Sequence, residues 1–273
     1  MPTIEDLCRD LADEQRSLDR VLTPLPAADW SRPTPAAGWD VRDSLSHLCF
    51  FEEAAALSVR HPAAFEEHRR RLLDGMAAAA SAGRDTPDVA LGRQIGDPAD
   101  LLGRWRQAGA DYRQAVTGAD RQARESGQKL RIAWYGPDMS PASFTTARLM
   151  ETWAHGVDIL DALGLPLEAT SRLRHVCHIG YGARGYSFAA HGQQDPGDPV
   201  RLEVRGPGGE TWAWGPEDAV DRISGPALDV ALVFAQRRHR SRTAVEVTGP
   251  VAERWMAIAQ AFAGPPTVTA ADR

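Results

Sequence analysis

The chain has 273 residues, 43% of them hydrophobic and 25% charged, with a formal net charge of −6 at pH 7. This composition is typical of a globular protein with one large or two ordinary domains, and the acidic balance argues against a general nucleic-acid binder. The polar, acidic start and the lack of an apolar run of about 18 residues indicate a cytoplasmic protein with no membrane partner. Cys8, Cys49 and Cys177 are scattered, which predicts reduced thiols buried as small hydrophobic side chains.

The chain begins with a predicted amphipathic helix. Residues 3–23 carry apolar side chains at helical spacing, with Thr3 as the N-cap and acidic residues in the first turn. Residues 24–38 contain several prolines and no apolar period, so they predict an extended linker. We expect Trp30 to hold that linker against the helices.

A second predicted helix carries the first candidate ligand, His47. It begins at Asp40, which with Asp43 has the spacing of a capping box, and Pro62 ends or kinks it. Asp43 lies one turn before His47, so it either caps the helix or hydrogen-bonds the imidazole, and capping is the simpler interpretation. A lone histidine beside an apolar face is more often a satisfied core residue than a ligand.

A polar excursion is predicted after the second helix. Residues 63–83 have helical propensity but few apolar side chains, and turn-rich connections follow through residue 98, so we expect a mobile segment over the surface. The arginine run at 69–71 is interpreted as a solvated face. A third bundle helix is predicted over about 99–117, and a short extended segment over 129–140.

Residues 140–164 contain the strongest chemical signal. Ser140, followed by proline, predicts a helix start, and Gly164 predicts its end. Glu151 and His155 are four residues apart, so they lie on one face of this helix and are able to share one bound atom. Spacing alone fits a solvated ion pair equally well, but the apolar neighbours favour polar groups that have partners.

The rest of the chain predicts a smaller domain of mixed structure. We expect a helix within residues 170–191, a β-hairpin over 199–215, a helix at about 226–237, a strand at about 244–248 and a last helix over 251–264. The fold class is therefore α+β. A four-helix bundle at residues 1–166 is followed by an α+β domain at residues 167–273.

Four long helices joined by long connections predict a bundle, and bundles commonly build metal sites from side chains on facing helices. His47 on the second helix and Glu151 with His155 on the fourth would supply two imidazoles and one carboxylate. Such a donor set suits a divalent metal.

The two stretches that carry this set resemble a known family. G-W-D-V-R-D-S-L-S-H-L at 38–48 and R-L-M-E-T-W-A-H-G-V-D at 148–158 resemble the signature motifs of the DinB/YfiT-like superfamily, and more closely its mycothiol-dependent maleylpyruvate isomerase branch. The resemblance implies that His47, Glu151 and His155 bind a divalent metal in a four-helix bundle. The metal is typically zinc, with nickel, cobalt or iron(II) as alternatives.

The resemblance also implies a chemistry. The metal would lower the pKa of the mycothiol sulfhydryl, and the thiolate would add to a small electrophilic substrate, as an isomerase or an S-transferase. A looser resemblance at residues 225–237 places Arg237 or Arg238 where it would hold a substrate carboxylate, unless it serves as a helix-dipole partner. Asp158, one turn beyond His155, either orients that imidazole, binds the metal weakly or is a plain surface acid.

Two other functions use the same three ligands. One is a thiol-independent hydrolase with a metal-activated water, and the other is a non-catalytic protein that binds a metal or a small ligand. A lesser metal alternative, His175 with Cys177 and His178, is more typical of packing on an amphipathic helix. The sequence is compatible with a monomer or a homodimer.

Overall fold

The computed structural model describes residues 2–83, 85, 91–93 and 96–263. The chain divides into two compact units, Met1–Leu165 and Pro166–Arg273. No helix in the described ranges combines the length and the hydropathy that a bilayer span requires. Helices and a small sheet are both present, which confirms the α+β fold class.

Four helices of the first unit form a bundle. The unit contains α1 (Ile4–Leu22), α2 (Val41–Arg60), α3 (Pro62–Ser81), α4 (Pro98–Glu125) and α5 (Pro141–Leu163). Helices α1 and α2 each pack against both α4 and α5, while α3 packs against α2. The predicted four-helix bundle is therefore confirmed, and it places α2 beside α5.

The predicted helix ends are present because side chains supply the missing backbone partners. Thr3 and Ser140 each accept the N–H group of the third residue of their helix, and Asp40 and Asp43 form a reciprocal capping box at the start of α2. Gly164 ends α5 in the left-handed region, at φ 68°. Each polar cap contributes about 1 kcal/mol.

The linker between α1 and α2 is held as expected. Trp30 lies in a short 3₁₀ turn, Ala27–Ser31, and only 7% of its surface is exposed. It belongs to a buried apolar cluster that joins α1, α2, α4 and the C-terminal part of α5. The other members are Leu18, Leu22, Val41, Leu45, Leu48, Cys49, Leu101, Leu102, Trp105 and Ile159. Burial of these apolar side chains stabilises the bundle and fastens the α1–α2 linker to it through Trp30.

The expectation of a mobile excursion is wrong for residues 62–81, which form the 20-residue helix α3. A fully buried side chain, Phe65, anchors the helix, and its ring stacks on Trp134 at a centroid distance of 5.7 Å. The rest of the helix is polar because most of it faces solvent. Positions 84, 86–90, 94 and 95 of the predicted excursion lie outside the described residues.

The arginine run on α3 is mostly a solvated face, as predicted. Arg70 and Arg71 are exposed and pair with Glu67. Arg69 differs, because it donates a hydrogen bond to the Trp134 carbonyl oxygen at 3.0 Å. One of the three arginines therefore ties α3 to the segment before α5.

Two predicted elements have different extents. Helix α4 continues to Glu125, beyond the predicted end near residue 117. In the segment predicted to be extended, Ile132 and Met139 form an isolated antiparallel β-bridge, which is the only β pairing described there.

The second unit contains short helices and a four-stranded sheet in its described part. Its elements are α6 (Leu173–Gly182), α7 (Arg184–Ala190), β1 (Val200–Arg205), β2 (Thr211–Trp214), β3 (Asp221–Pro226), α8 (Ala227–Phe234), β4 (Glu246–Thr248) and α9 (Pro250–Ile258). The strand order is β2-β1-β3-β4. Strand β1 pairs antiparallel with β2, as the hairpin prediction requires, and parallel with β3.

Strand β3 was missed because its sequence, D-R-I-S-G-P, has a single large apolar residue, Ile223. Its first residue, Asp221, is buried, and Oδ1 accepts the N–H groups of Val251 and Ala252 at 2.7 and 2.8 Å. The aspartate therefore caps the first turn of α9. That helix ends at Ile258, and position 264 of the predicted helix lies outside the described residues.

Candidate metal centre

Helices α2 and α5 bring three potential ligands together. His47 comes from α2, while Glu151 and His155 come from α5. One ligand atom from each side chain lies within 4.8 Å of the other two, and the two imidazole centroids are 4.5 Å apart. The residues that the sequence proposed as a set are therefore neighbours in space.

The two ligands on α5 face the same point. Glu151 Oε2 lies 3.7 Å from His155 Nε2, as expected for residues one helical turn apart. The carboxylate side chain is 25% exposed and the imidazole 11% exposed. Solvent therefore reaches the carboxylate more readily than the ring.

A backbone carbonyl fixes the tautomer of His47. The Nδ1 atom of His47 lies 2.6 Å from the carbonyl oxygen of Leu91. Because a carbonyl oxygen only accepts, Nδ1 must carry the proton, and in the neutral ring Nε2 then has the lone pair that binds a metal. Asp43 caps α2 instead of contacting this ring nitrogen, so the simpler interpretation of Asp43 is confirmed.

Asp158 is buried, with 1% of its surface exposed, so it is not a surface acid. Its Oδ2 atom lies 3.5 Å from Nδ1 of His155. That separation is too long for a strong hydrogen bond, and Nδ1 has no hydrogen-bond partner among the described residues. The other ring nitrogen, Nε2, lies 3.7 Å from Glu151 Oε2, so Nε2 is the candidate ligand atom and Asp158 lies beside the opposite nitrogen of the ring.

Aromatic rings enclose both imidazoles. Trp39 stacks on His155 with centroids 5.8 Å apart and planes 12° apart, and its ring lies edge-on to His47 at 5.2 Å. The ring centroids of Phe51 and His47 are 4.6 Å apart. These rings limit the rotation of the imidazoles and keep water from their faces. Trp39 is a site residue that was not predicted from the sequence, although it stands inside the G-W-D motif.

The donor set fits a divalent metal. Two neutral imidazole nitrogens and one carboxylate oxygen suit zinc, and also nickel, cobalt or iron(II). Three converging donors of this kind carry one negative charge between them, so a cation is the complementary occupant.

The chain's own thiols are not nucleophiles at neutral pH. Cys8, Cys49 and Cys177 are all free and buried, as predicted. Burial raises the pKa of each thiol, and for Cys49 and Cys177 to about 12. A thiolate that reacts near neutral pH must therefore come from outside these three residues.

Arg237 and Arg238 belong to the second unit and follow the end of α8. Arg237 is 9% exposed, donates to the Ala235 carbonyl oxygen at 2.7 Å and has its guanidinium 6.0 Å from the Phe262 ring centroid. Arg238 donates to the carbonyl oxygen of Arg237. Their role in holding a substrate carboxylate stays a prediction.

The alternative metal set on α6 is not assembled in the described structure. The Cys177 thiol is fully buried and donates to the Ala227 carbonyl oxygen. His178 Nδ1 instead accepts the indole N–H of Trp214 at 3.0 Å. The packing interpretation therefore fits these residues better than a ligand role.

Comparison with known proteins finds one matching family model and two relatives that match over most of their length. The family model of the mycothiol maleylpyruvate isomerase N-terminal domain matches residues 11–160. Two uncharacterized proteins of Mycobacterium tuberculosis, from strains CDC 1551 / Oshkosh and ATCC 25618 / H37Rv, are each 42% identical over 257 residues, which cover 94% of this chain and 95% of the relative.

Two solved structures share the fold at low sequence identity. The crystal structure of the mycothiol-dependent maleylpyruvate isomerase aligns with a TM-score of 0.53 and 16% identity, and covers 90% of this chain and 93% of that one. A histidine-to-alanine mutant of that enzyme aligns with a TM-score of 0.54 at the same identity and coverage. The family match spans the bundle that holds His47, Glu151 and His155, and the chain belongs to the mycothiol maleylpyruvate isomerase N-terminal domain family.

Proposed function

We propose that this protein binds one divalent metal through His47, Glu151 and His155 and activates mycothiol, a low-molecular-weight thiol, for addition to a small electrophilic substrate. The reaction would be an isomerisation or an S-transfer. The observation that carries the proposal is the convergence of three ligand atoms within 4.8 Å between α2 and α5. Family membership supports the thiol. The domains at residues 1–166 and 167–273 are part of the same proposal.

A divalent cation held there, most simply zinc, would lower the pKa of a thiol that binds beside it. Glu151 brings one negative charge and the neutral imidazoles bring none, so the protein does not cancel the charge of the cation. Trp39 and Phe51 cover the imidazole faces, and the low polarity of these rings strengthens electrostatic attraction inside the site.

The thiol chemistry accounts for either reaction class. For cis–trans isomerisation, the thiolate sulfur would add to one carbon of a double bond conjugated to a carbonyl group, and the π electron pair would move onto the carbonyl oxygen. The resulting single bond would rotate, and return of the electron pair would expel the thiolate and restore the double bond. When the substrate carries a leaving group instead, the C–S bond forms as the bond to the leaving group breaks, the leaving group departs with that electron pair, and sulfur stays on the product. Asp158 would hold the His155 ring, and Arg237 or Arg238 would bind a substrate carboxylate.

Metal analysis and calorimetry test the proposal together. We expect purified protein to contain about one divalent metal per chain, to bind mycothiol only when metal-loaded, and to turn over maleylpyruvate or a model electrophile only with thiol present. Turnover of an ester or amide without thiol would replace the proposal with a hydrolase. Metal binding with neither thiol affinity nor turnover would replace it with a non-catalytic binding protein.

A further inference from the structure

Three consecutive residues between α3 and α4, Leu91–Arg93, each contact α2 or the residues just before it. The first contact is the hydrogen bond from His47 Nδ1 to the Leu91 carbonyl oxygen, at 2.6 Å. It joins residues 44 positions apart in sequence. The contact therefore depends on the position of residues 91–93 against α2.

The second contact requires a glycine. Gly92 has φ +68°, which L side chains rarely adopt, and a Cβ atom there would lie 2.8 Å from Phe50 Cβ and 3.2 Å from His47 Cα. Neither of these atoms is the end of a flexible side chain, so an added methyl group must displace the 91–93 backbone or α2. The close approach is what brings the Leu91 carbonyl within reach of His47.

The third contact fastens the segment to the start of α2. Arg93 donates from Nη2 to the Gly38 carbonyl oxygen at 2.5 Å, and the same nitrogen lies 3.3 Å from Asp43 Oδ2. Its guanidinium also lies 5.3 Å from the Trp39 ring centroid. Trp39 in turn stacks on His155, so Arg93 supports the ring that covers both imidazoles.

We propose that the 91–93 segment is a positioning element for His47. It fixes the Nδ1–H tautomer and the ring orientation before any ligand binds, so that Nε2 is directed at Glu151 and His155. Its effect on metal affinity rests on the proposed function, whereas its effect on the His47 tautomer does not. Loss of an outer partner of a metal-binding histidine typically weakens metal affinity by about 10–100-fold.

Gly92→Ala is the direct test, with Gly127→Ala as its matched control. Gly127 also has φ +68°, but a Cβ atom there meets nothing within 4 Å, so the control carries the same backbone strain without the steric contact. In metal-free wild type we expect ¹⁵N–¹H correlation spectra to show His47 protonated at Nδ1. Gly92→Ala should lose that signature and bind metal about 10–100-fold more weakly in a chelator competition, while Gly127→Ala keeps both.

A second pair of variants covers the case in which Gly92→Ala does not fold, as judged by circular dichroism. Arg93→Ala should move the same two readouts in the same direction, and Arg93→Lys should restore them only in part because lysine lacks the planar fork. Unchanged His47 spectra and affinity in Arg93→Ala and Gly92→Ala overturn the inference, as does an equal loss in Gly127→Ala. If wild type binds no metal, the proposed function fails, and the His47 spectra alone then decide the role of the segment.

Discussion

Helices α2 and α5 carry two polar clusters that differ in charge and in burial. In one cluster His47 faces Glu151 and His155, and in the other Glu52 of α2 faces Arg148 of α5. The second cluster contains its own cation, because Arg148 Nε donates to Glu52 Oε1 at 3.2 Å. The first contains a carboxylate and two imidazoles. Glu52 is therefore neutralised within the bundle, whereas Glu151 faces two imidazoles and is available to a cation from outside.

Burial separates the two clusters as well. Glu52 is fully buried and Arg148 is 4% exposed, while the Glu151 carboxylate is 25% exposed. Glu52 Oε2 and Arg148 Nη2 have no hydrogen-bond partners among the described residues. Burial raises the pKa of the Glu52 carboxyl, and the neighbouring Arg148 opposes that rise. The pair is therefore costly to break, since either partner alone would be an uncompensated buried charge.

The largest expected effect follows from breaking the buried pair. Arg148→Ala should lower the free energy of unfolding by about 3–5 kcal/mol, because the Glu52 carboxylate would stay buried without its cation. Urea denaturation followed by circular dichroism measures this loss. Glu52→Leu combined with Arg148→Met is the control, and it should be closer to wild type than either single change. A loss below about 1 kcal/mol in Arg148→Ala would show that the pair does not stabilise the bundle.

The same variant predicts a pH dependence. Burial raises the pKa of Glu52 and the positive charge of Arg148 lowers it. Without Arg148, the pKa of Glu52 should therefore lie further above its unfolded value of 4.5. A carboxyl whose folded pKa is raised binds its proton more tightly in the folded state, so its contribution to stability is present below pH 4.5 and is lost as the pH rises through the folded pKa. Arg148→Ala should therefore lose less stability at pH 4 than at pH 7. Equal losses at the two pH values would contradict the raised pKa.

The open cluster is tested by removing one ligand. His155→Ala removes a direct donor to the metal. Metal affinity should therefore fall by at least about 100-fold, because losing even an outer partner of a ligand weakens affinity by up to about 100-fold. Elemental analysis after dialysis and chelator competition measure the change. His61→Ala, which removes an exposed histidine just after α2, is the control and should retain the metal. Full retention of metal in His155→Ala would refute the assignment of the ligand set.

A smaller effect is expected at Asp158. Asp158→Asn keeps the size of the side chain but removes the negative charge 3.5 Å from His155 Nδ1. Metal affinity should fall by about 10-fold, the low end for an outer carboxylate, because the contact is long. Affinity equal to wild type would mean that Asp158 serves packing and charge elsewhere in the bundle.

The smallest effect is expected at the surface. Arg104 on α4 pairs with Glu53, the neighbour of Glu52, at 2.9 Å, and both side chains are more than 40% exposed. Arg104→Ala should change the free energy of unfolding by about 0–1 kcal/mol, because solvent screens an exposed pair. If Arg104→Ala lowered the free energy of unfolding as much as Arg148→Ala, burial would not explain why the two ion pairs are expected to differ in stability.

Much of the bundle and the three candidate ligands followed from local patterns. Thr3, Asp40 and Ser140 mark helix starts through hydrogen bonds within a single turn, which adjacent residues determine. Glu151 and His155 share a helix face for the same reason. The pairing of His47 with them required a resemblance between two motifs, since nothing local relates α2 to α5.

Other features were beyond local patterns. Helix α3 was expected to be mobile because its sequence is polar, yet Phe65 packs on Trp134 from a later segment. Strand β3 has no clear alternation and exists because β1 and β4 flank it. The Glu52–Arg148 pair joins residues 96 positions apart, and each alone resembles an ordinary charged helix residue.

Local sequence patterns predicted the starts of the bundle helices, the α+β class and the shared helix face of Glu151 and His155, because caps, periodicity and motif spacing act over a few residues. They did not predict the end of α4 or strand β3. Which nitrogen of His47 faces the other ligands depends on a tertiary contact, because the Leu91 carbonyl that accepts from Nδ1 is a backbone group that any residue type provides. The tertiary structure also decided that Asp158 is buried beside His155 and that Trp39 covers both imidazoles. These contacts join residues distant in the chain, and their energies depend on packing that no single segment specifies.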